Sequence, residues 1–201
     1  MSDVSSWSRD QSNRTQLEQQ YPDIDPRFLF INTGYNMRPL EIQGAMGICQ
    51  LKSIQQMNTN RKENYTRLVE RVKSHPRYDN IGYSSTKHVV SFVNQIQFVQ
   101  PVPHLDPVYF GFSCLLAKQH KQHYRDYLDY LSGQGIENRP IISGNMLRQP
   151  SLALHGIHTA PDSCPGAEEI HARGFFIGLH IDRLSDATID RVADALLGFT
   201  F

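Results

Sequence analysis

The sequence predicts an α+β fold, with one long helix and a small, mostly antiparallel sheet carrying flanking helices. Two observations support this prediction. Apolar residues recur at helical spacing from residue 40 to residue 57, and helix-forming residues continue to about residue 73. From about residue 83 apolar residues alternate or form the short runs typical of strands. The 201 residues are enough for one compact unit, or for one unit with an arm.

Three parts are expected along the chain. Residues 1–33 are polar and lack a sustained period, which predicts an arm without stable structure of its own, a remnant of a larger domain. The turn and long helix at 34–75 follow, with Pro39 suited to the first helical turn and Pro76 ending the helix. Such a helix would be about 50 Å long, so we expect it to join two domains or two subunits. Residues 76–201 are expected to form the small α+β domain.

The remaining strands and helices are predicted from the spacing of apolar residues and from the Pro, Gly and cap residues that bound them. Strands are predicted at 92–99, 108–117, 136–143 and 175–180. Helices are predicted at 119–132 and after Ser185, whose hydroxyl suits an N-cap. A loop rich in Pro, Gly, His and Ser is expected between residues 153 and 166.

Composition narrows the classes of partner. The 20 basic and 20 acidic residues balance, so no long-range field indicates a nucleic-acid or anionic-membrane surface. There is no apolar run of about 18 residues and no signal-peptide pattern, which predicts a cytoplasmic protein. Cys49, Cys114 and Cys164 are odd in number and widely spaced, which favours a reducing compartment over a disulfide framework.

The turn from Gly34 to Pro39 is the most informative segment. It places the Asn36 amide and the Arg38 guanidinium at the start of the long helix, an arrangement that suits an anion. The alternative is that Asn36 only caps the helix and Arg38 makes a structural salt bridge.

Three segments resemble the DegT/DnrJ-type enzymes, which are nucleotide-sugar aminotransferases dependent on pyridoxal phosphate (PLP), and their 3-dehydratase relatives. The segments are GYNMRPLEIQGAMGICQLKSIQQMNTNRKENY from Gly34, GIENRPIISGNMLRQPSL from Gly135 and AEEIHARGFFIGLH from Ala167. SWSRDQSN near the start resembles the Trp-Gly-Arg-Asp stretch of the 4-keto-6-deoxysugar 3-dehydratases. The resemblance implies the C-terminal small domain of a fold-type I PLP enzyme.

The resemblance also implies roles for particular residues. Asn36 matches the asparagine that reaches the cofactor phosphate of the other subunit of a homodimer, and Arg38 would strengthen that site. Arg139 and Asn145 match the block that lines the sugar-nucleotide pocket, and Arg148 is a weaker candidate. The alternatives are a surface ion pair for Arg139 and a turn-stabilising role for Asn145.

His180 marks a departure from the related dehydratases. They carry Gly-Asn-His where this chain has Gly178-Leu179-His180, so the histidine is kept and its amide neighbour is lost. His180 is expected to face the pocket with altered hydrogen bonding. His120 and His123, or His155 and His158, lie three apart without a carboxylate or cysteine pattern, so no metal site is expected.

The implied chemistry is removal of the C3 hydroxyl of a nucleotide-linked 4-keto-6-deoxysugar, with PLP as cofactor and L-glutamate as amino donor, towards a deoxysugar of lipopolysaccharide O-antigen or another surface polysaccharide. One dehydratase branch holds an iron–sulfur cluster on cysteines shortly after the Trp-Gly-Arg-Asp stretch. This chain has no cysteine before Cys49. The chain therefore resembles the cluster-free branch more closely, and that branch acts on a GDP-linked 4-keto-6-deoxymannose.

The cofactor-bearing residue is expected to be missing. In the family the Schiff-base lysine, or the histidine that replaces it, precedes the Trp-Gly-Arg-Asp stretch, which begins here at Ser6. The first lysine is Lys52 and the first histidine is His75. We expect a chain that lacks the N-terminal cofactor domain, has no catalytic residue of its own and is inactive alone. The alternatives are a non-catalytic dimerisation or interaction module and an aminotransferase fragment.

Overall fold

The computed structural model describes residues 11–31, 40–78, 83–85, 88–92, 95–99 and 104–201. Two compact units are present. The small unit lies within residues 1–37 and 140–172, and the sheet unit lies within residues 38–139 and 173–201. This division differs from the expected three parts, because the long helix groups with the sheet and residues 140–172 group with the N-terminal segment.

In chain order the α-helices are α1 (Gln11–Gln20), α2 (Glu41–Leu51), α3 (Ile54–Ser74), α4 (Tyr124–Gly133), α5 (Pro150–Leu154), α6 (Pro165–Arg173) and α7 (Asp186–Gly198). The strands are β1 (Tyr83–Ser85), β2 (His88–Phe92), β3 (Ile96–Val99), β4 (Gly111–Leu116), β5 (Asn138–Pro140) and β6 (Gly174–Gly178). Short 3₁₀ helices lie at Pro26–Phe28, Lys118–His123, Met146–Arg148 and Pro161–Ser163. In the described part of the chain, no helix has both the length and the apolar character needed to cross a membrane.

The predicted long helix is present but interrupted between α2 and α3. The N–H groups of Lys52 and Ser53 bond to the carbonyls of Cys49 and Gln50, three residues back rather than four. The four-residue pattern resumes when Met57 N–H bonds to Ser53 O at 3.0 Å. The helical region thus begins and ends close to the predicted limits, with one tightened turn inside it.

The sheet has the strand order β1-β2-β3-β4-β6-β5, and the pairs β1–β2, β2–β3, β3–β4 and β4–β6 are antiparallel. The predicted strand at 92–99 is divided between two antiparallel strands instead, since Phe92 of β2 pairs with Gln97 of β3. The period-2 pattern is the same for one strand or for two strands joined by a tight turn, so alternation alone does not separate them.

One face of the sheet forms the main core. In β3 and β4, Phe98 pairs with Cys114, and in β4 and β6, Cys114 pairs with Phe175, so these buried side chains form a row across three strands. Helices α3, α4 and α7 supply the other side of the core, through Leu68, Val72, Tyr127, Leu131, Ile189, Ala193, Leu196 and Leu197. The predicted cap of the last helix is confirmed, because the Ser185 hydroxyl accepts a hydrogen bond from Thr188 N–H at 3.2 Å.

The small unit has its own core, built partly from the segment expected to be an unstructured arm. Helix α1 and the residues after it bury Leu17, Ile24 and Leu29. Their spacings of seven and five residues fit no single period, which explains why the pattern gave no signal. Gln149 fixes this segment, since its side chain accepts from Phe30 N–H at 2.8 Å and donates to Phe28 O at 3.1 Å.

Candidate functional site

The turn that carries Asn36 and Arg38 lies outside the described residues. The structure resumes at Leu40, the N-cap of α2, whose N–H donates to the Gln43 side chain at 2.7 Å. Glu41 then places a negative charge in the first turn. A cofactor-binding role for Asn36 and Arg38 stays a prediction.

Arg139 lies on β5 in the sheet unit and pairs with Glu137. Its Nε and Nη2 groups donate to Glu137 Oε1 at 3.0 and 2.6 Å. Both side chains are largely exposed, at 49% for Arg139 and 73% for Glu137. The geometry is that of a surface ion pair, and it leaves the Nη1 group of Arg139 for a ligand.

Asn145 lies in the small unit and is buried. Its Oδ1 accepts from Leu147 N–H at 3.0 Å, which caps the short 3₁₀ helix that follows. Its Nδ2 group donates to Pro161 O at 3.0 Å and to Glu168 Oε1 at 2.5 Å. Both amide hydrogens are engaged within the unit, so the observed geometry is that of a turn-stabilising residue.

A group of polar side chains surrounds Asn145, which we call the Arg148 cluster: Asp23, Asn145, Arg148, Glu168 and His171. The Arg148 guanidinium donates to both Glu168 oxygens at 2.7–3.1 Å and to Asp23 Oδ2 at 2.6 Å. Hydrogen bonding from Arg148 lowers the pKa of Glu168 from 4.5 to about 2, and the bond to Glu168 raises the pKa of Arg148. Glu168 and Arg148 are therefore both charged at neutral pH, and the bonds of Arg148 connect Glu168 of α6 with Asp23.

His171 is the least satisfied member of the cluster. Its Nε2 is buried without a hydrogen bond among the described residues, 3.8 Å from Asp23 Oδ2. Burial lowers the pKa of His171, so the ring is neutral at pH 7. Gly144, at φ 58°, packs against the ring so closely that a Cβ there would lie 2.5 Å from His171 Nδ1. Only glycine fits this position without displacing the ring.

His180 follows β6 in the sheet unit, and its side chain is 59% exposed. Its Nδ1 accepts from Asp182 N–H at 3.0 Å. A neutral ring with Nδ1 as acceptor carries its proton on Nε2, which is then available as a donor. The neighbouring Leu179 is buried in the core, and its N–H bonds to Phe110 O at 2.9 Å.

The described lysines do not suit a Schiff base with PLP. A Schiff base needs a lysine inside a pocket, whereas the described lysines are exposed or half-buried, and Lys62 is paired with Asp106 at 2.5 Å. A shallow depression of about 400 Å³ between α4 and α7 carries Asp190 and Asp194 beside Arg191, a net negative lining that does not suit a phosphate. Nor do any three His, Cys, Asp or Glu side chains of the described residues come together as metal ligands.

Sequence reasoning missed the partners of the candidate residues. Glu168 and His171 lie in the family-like block from Ala167, but nothing in that block indicates that they face Arg148, 20 residues or more away. A periodic signal was present elsewhere. Arg67 and Arg71 of α3 and its C-cap His75 are spaced four residues apart, as are three aspartates of α7, Asp186, Asp190 and Asp194. These residues pair at 2.5, 2.7 and 3.4 Å.

Comparison with known proteins gives a family and a fold. The family model described as the DegT/DnrJ/EryC1/StrS aminotransferase family matches residues 6–197. The chain is 28% identical over 195 residues to GDP-4-keto-6-deoxy-D-mannose 3-dehydratase of Escherichia coli O55:H7, covering 94% of this chain and 44% of the relative. It is 31% identical over 186 residues to the enzyme of the same name from Yersinia pseudotuberculosis, covering 90% of this chain and 41% of the relative.

A solved structure of one of these relatives has a similar fold. The Escherichia coli GDP-4-keto-6-deoxy-D-mannose 3-dehydratase with bound hydrated PLP matches with a TM-score of 0.62 and 28% identity, over 86% of this chain and 39% of that protein. The chain therefore spans less than half the length of the relatives it matches.

Proposed function

Since the chain belongs to the DegT/DnrJ/EryC1/StrS aminotransferase family, we propose that it is the C-terminal part of a PLP-dependent enzyme that removes the C3 hydroxyl of a nucleotide-linked 4-keto-6-deoxyhexose. The observation that carries the proposal is the similarity to GDP-4-keto-6-deoxy-D-mannose 3-dehydratases over at least 90% of the chain. Bound PLP would supply the electron sink for such a C–O cleavage. The product would serve the synthesis of a deoxysugar for a surface polysaccharide.

In this proposal the chain supplies binding groups and not the catalytic base. Asn36 and Arg38 bind the cofactor phosphate in a neighbouring subunit of a homodimer. Arg139 and His180 face the nucleotide-linked sugar, Asn145 keeps its turn-stabilising role in the small unit, and L-glutamate is the amino donor. Because the chain spans less than half the length of these relatives, the proposal includes a cofactor-binding part, either on the same polypeptide or as a separate chain, and these residues alone are expected to be inactive.

The first test is retention of PLP through desalting, followed by absorbance. We would compare the chain alone, the N-terminal domain of a related dehydratase alone, and both together. Retention only by the mixture, lost in Asn36→Ala and kept in the control Asn58→Ala, supports the proposal. Retention by the chain alone overturns the requirement for a second part. No retention in any sample favours a non-catalytic module.

The reaction is tested on the reconstituted mixture with GDP-4-keto-6-deoxymannose, PLP and L-glutamate. A 3-deoxy product identifies a dehydratase, whereas a 4-amino sugar that keeps its C3 hydroxyl identifies an aminotransferase. Mass spectrometry separates the two products, because only one of them has lost the C3 oxygen. If a mixture that retains PLP forms neither product, the proposed chemistry is contradicted.

A second candidate function is supported by α2. Five large apolar side chains on or next to this helix are 60–66% exposed: Leu40, Ile42, Met46, Ile48 and Leu51. An apolar surface of this kind is typical of a face that another protein surface covers. A non-catalytic dimerisation or interaction module would use it, and sedimentation equilibrium tests this. Self-association that is lost in Ile48→Glu supports the module, and a monomer at high concentration counts against it.

A further inference from the structure

Asn64 of α3 is a buried amide whose hydrogen bonds all go to one loop. It is fully inaccessible to solvent. Its Nδ2 group donates to the carbonyls of His180 at 3.2 Å and Asp182 at 2.8 Å, and its Oδ1 accepts from Leu184 N–H at 2.9 Å. A buried amide with partners for both its donor and its acceptor fixes three backbone positions at once.

The loop held in this way, residues 179–184, carries the exposed imidazole of His180. The Asp182 N–H donates to His180 Nδ1 at 3.0 Å, and the carbonyl of the same Asp182 accepts from Asn64. The backbone at Asp182 thus connects the buried amide to the exposed ring. Displacing this backbone would release Nδ1 and let the ring rotate.

The loop has no side-chain amide of its own, since its sequence is Leu-His-Ile-Asp-Arg-Leu. Leu179 is buried in the core. The amide that stabilises the loop comes instead from α3. Four further α3 side chains also contact the loop. Asn60 Nδ2 donates to Ile181 O at 2.9 Å, Arg61 Nε to Leu179 O at 3.4 Å and Arg67 to Leu184 O at 2.7 Å, and Glu63 accepts from Arg183 at 3.0 Å.

We propose that Asn64 is a positioning residue, which holds residues 180–184 so that His180 presents Nε2–H as a fixed donor to an oxygen of the nucleotide-linked sugar. The inference rests on the proposed function, which gives His180 a substrate role. A fixed donor loses less conformational entropy on binding than a mobile one, so the benefit appears in affinity.

The experiment uses the full 201-residue chain, mixed with the N-terminal domain of a related dehydratase, with three substitutions on α3. Asn64→Ala removes all three hydrogen bonds, whereas Asn64→Asp keeps the oxygen that accepts from Leu184 N–H and loses both donors. Thr66→Ala, at an exposed position of the same helix, is the control. Amide hydrogen exchange is measured at Asp182 and Leu184, and the His180 ring signals are followed by NMR while GDP-mannose is added as the probe.

In Asn64→Ala we expect exchange at both amides to become about tenfold faster, with α7 amides unchanged, and the affinity for GDP-mannose to fall about tenfold. In Asn64→Asp, Leu184 keeps its protection and Asp182 loses it, with a similar loss of affinity. Thr66→Ala changes neither quantity. Because α7 reports global stability, this pattern separates positioning from a general loss of structure.

Three results would overturn the proposal, and they differ from one another. Unchanged exchange at Asp182 in both Asn64 variants refutes the coupling between the buried amide and the loop. Faster exchange with unchanged affinity refutes positioning and leaves the proposed function intact. The expected exchange pattern with no response of wild-type His180 to GDP-mannose refutes the substrate role of His180, and with it the positioning role.

Discussion

Removing the negative charge of Glu168 is the sharpest test of the Arg148 cluster. The pKa of Glu168 falls from 4.5 to about 2 on folding, chiefly because Arg148 donates hydrogen bonds to it. A lowered carboxylate pKa stabilises the folded state above the unfolded pKa, and this stabilisation is lost as the pH falls from about 4.5 towards 2. The full difference corresponds to about 3 kcal/mol in the free energy of unfolding at pH 7.

That value needs a reduction for solvent screening. The Glu168 side chain is 24% exposed and the Arg148 side chain 35%, so we take about half of it, about 1–2 kcal/mol. In Glu168→Gln the guanidinium of Arg148 also keeps Asp23 at 2.6 Å, which limits the cost of losing one partner. We expect Glu168→Gln to lower the free energy of unfolding at pH 7 by about 1–2 kcal/mol.

The assay is urea unfolding followed by circular dichroism at pH 7, 5 and 3. The gap between wild type and Glu168→Gln should shrink as the pH falls, to less than half its neutral value at pH 3. Glu70→Gln, at an exposed position of α3, is the matched control and should show no gap. A gap that is below about 0.3 kcal/mol at pH 7, or that stays constant with pH, would refute the reasoning, because the linkage fixes its sign and its pH range.

Three further predictions use urea unfolding at pH 7. Leu131→Ala, in the centre of the sheet-unit core, should lower the free energy of unfolding by about 3 kcal/mol through the cavity it leaves. The control Leu154→Ala, at an exposed position, should lower it by less than about 0.5 kcal/mol, and equal losses would place the core elsewhere. Asp190→Ala breaks a half-exposed ion pair with Arg71 and should lower the free energy of unfolding by about 0.5 kcal/mol. This difference should disappear in 1 M salt, and a loss that does not depend on salt would contradict an ion-pair origin. Ile142 has φ 43°, a strained angle for a β-branched residue. Ile142→Asn should therefore raise the free energy of unfolding by about 1 kcal/mol, whereas Ile142→Val should not. Destabilisation by Asn would contradict strain at this position.

Local signals predicted the elements that depend on local physics. Helix α7 begins at its Ser185 cap because the cap and the following apolar spacing both lie within a few residues. The limits of the α2–α3 region followed from Pro39 and Pro76 for the same reason. The tightened turn at Lys52 and Ser53 had no such mark, since neither residue forbids an α-helical backbone.

The parts that failed depend on contacts between distant residues. Helix α1 was missed because its apolar contacts come from Ile24, Leu29 and the core they share with Leu17. Arg148 bonds to Asp23 across 125 positions of sequence. A charged residue in isolation gives no indication of which opposite charge it will meet, so the Arg148 cluster could not be read from composition or spacing.

The candidate site residues differ in what they still offer a ligand. Asn145 has both amide hydrogens engaged with Pro161 and Glu168, so a sugar hydroxyl would have to displace a hydrogen bond made to a charged partner. Arg139 keeps its Nη1 group, and His180 keeps Nε2–H while Asp182 holds the opposite nitrogen. Direct contact with substrate is therefore physically easier for Arg139 and His180. Asn145 is better suited to stabilise the start of the 3₁₀ helix Met146–Arg148, which is a role it performs without any ligand.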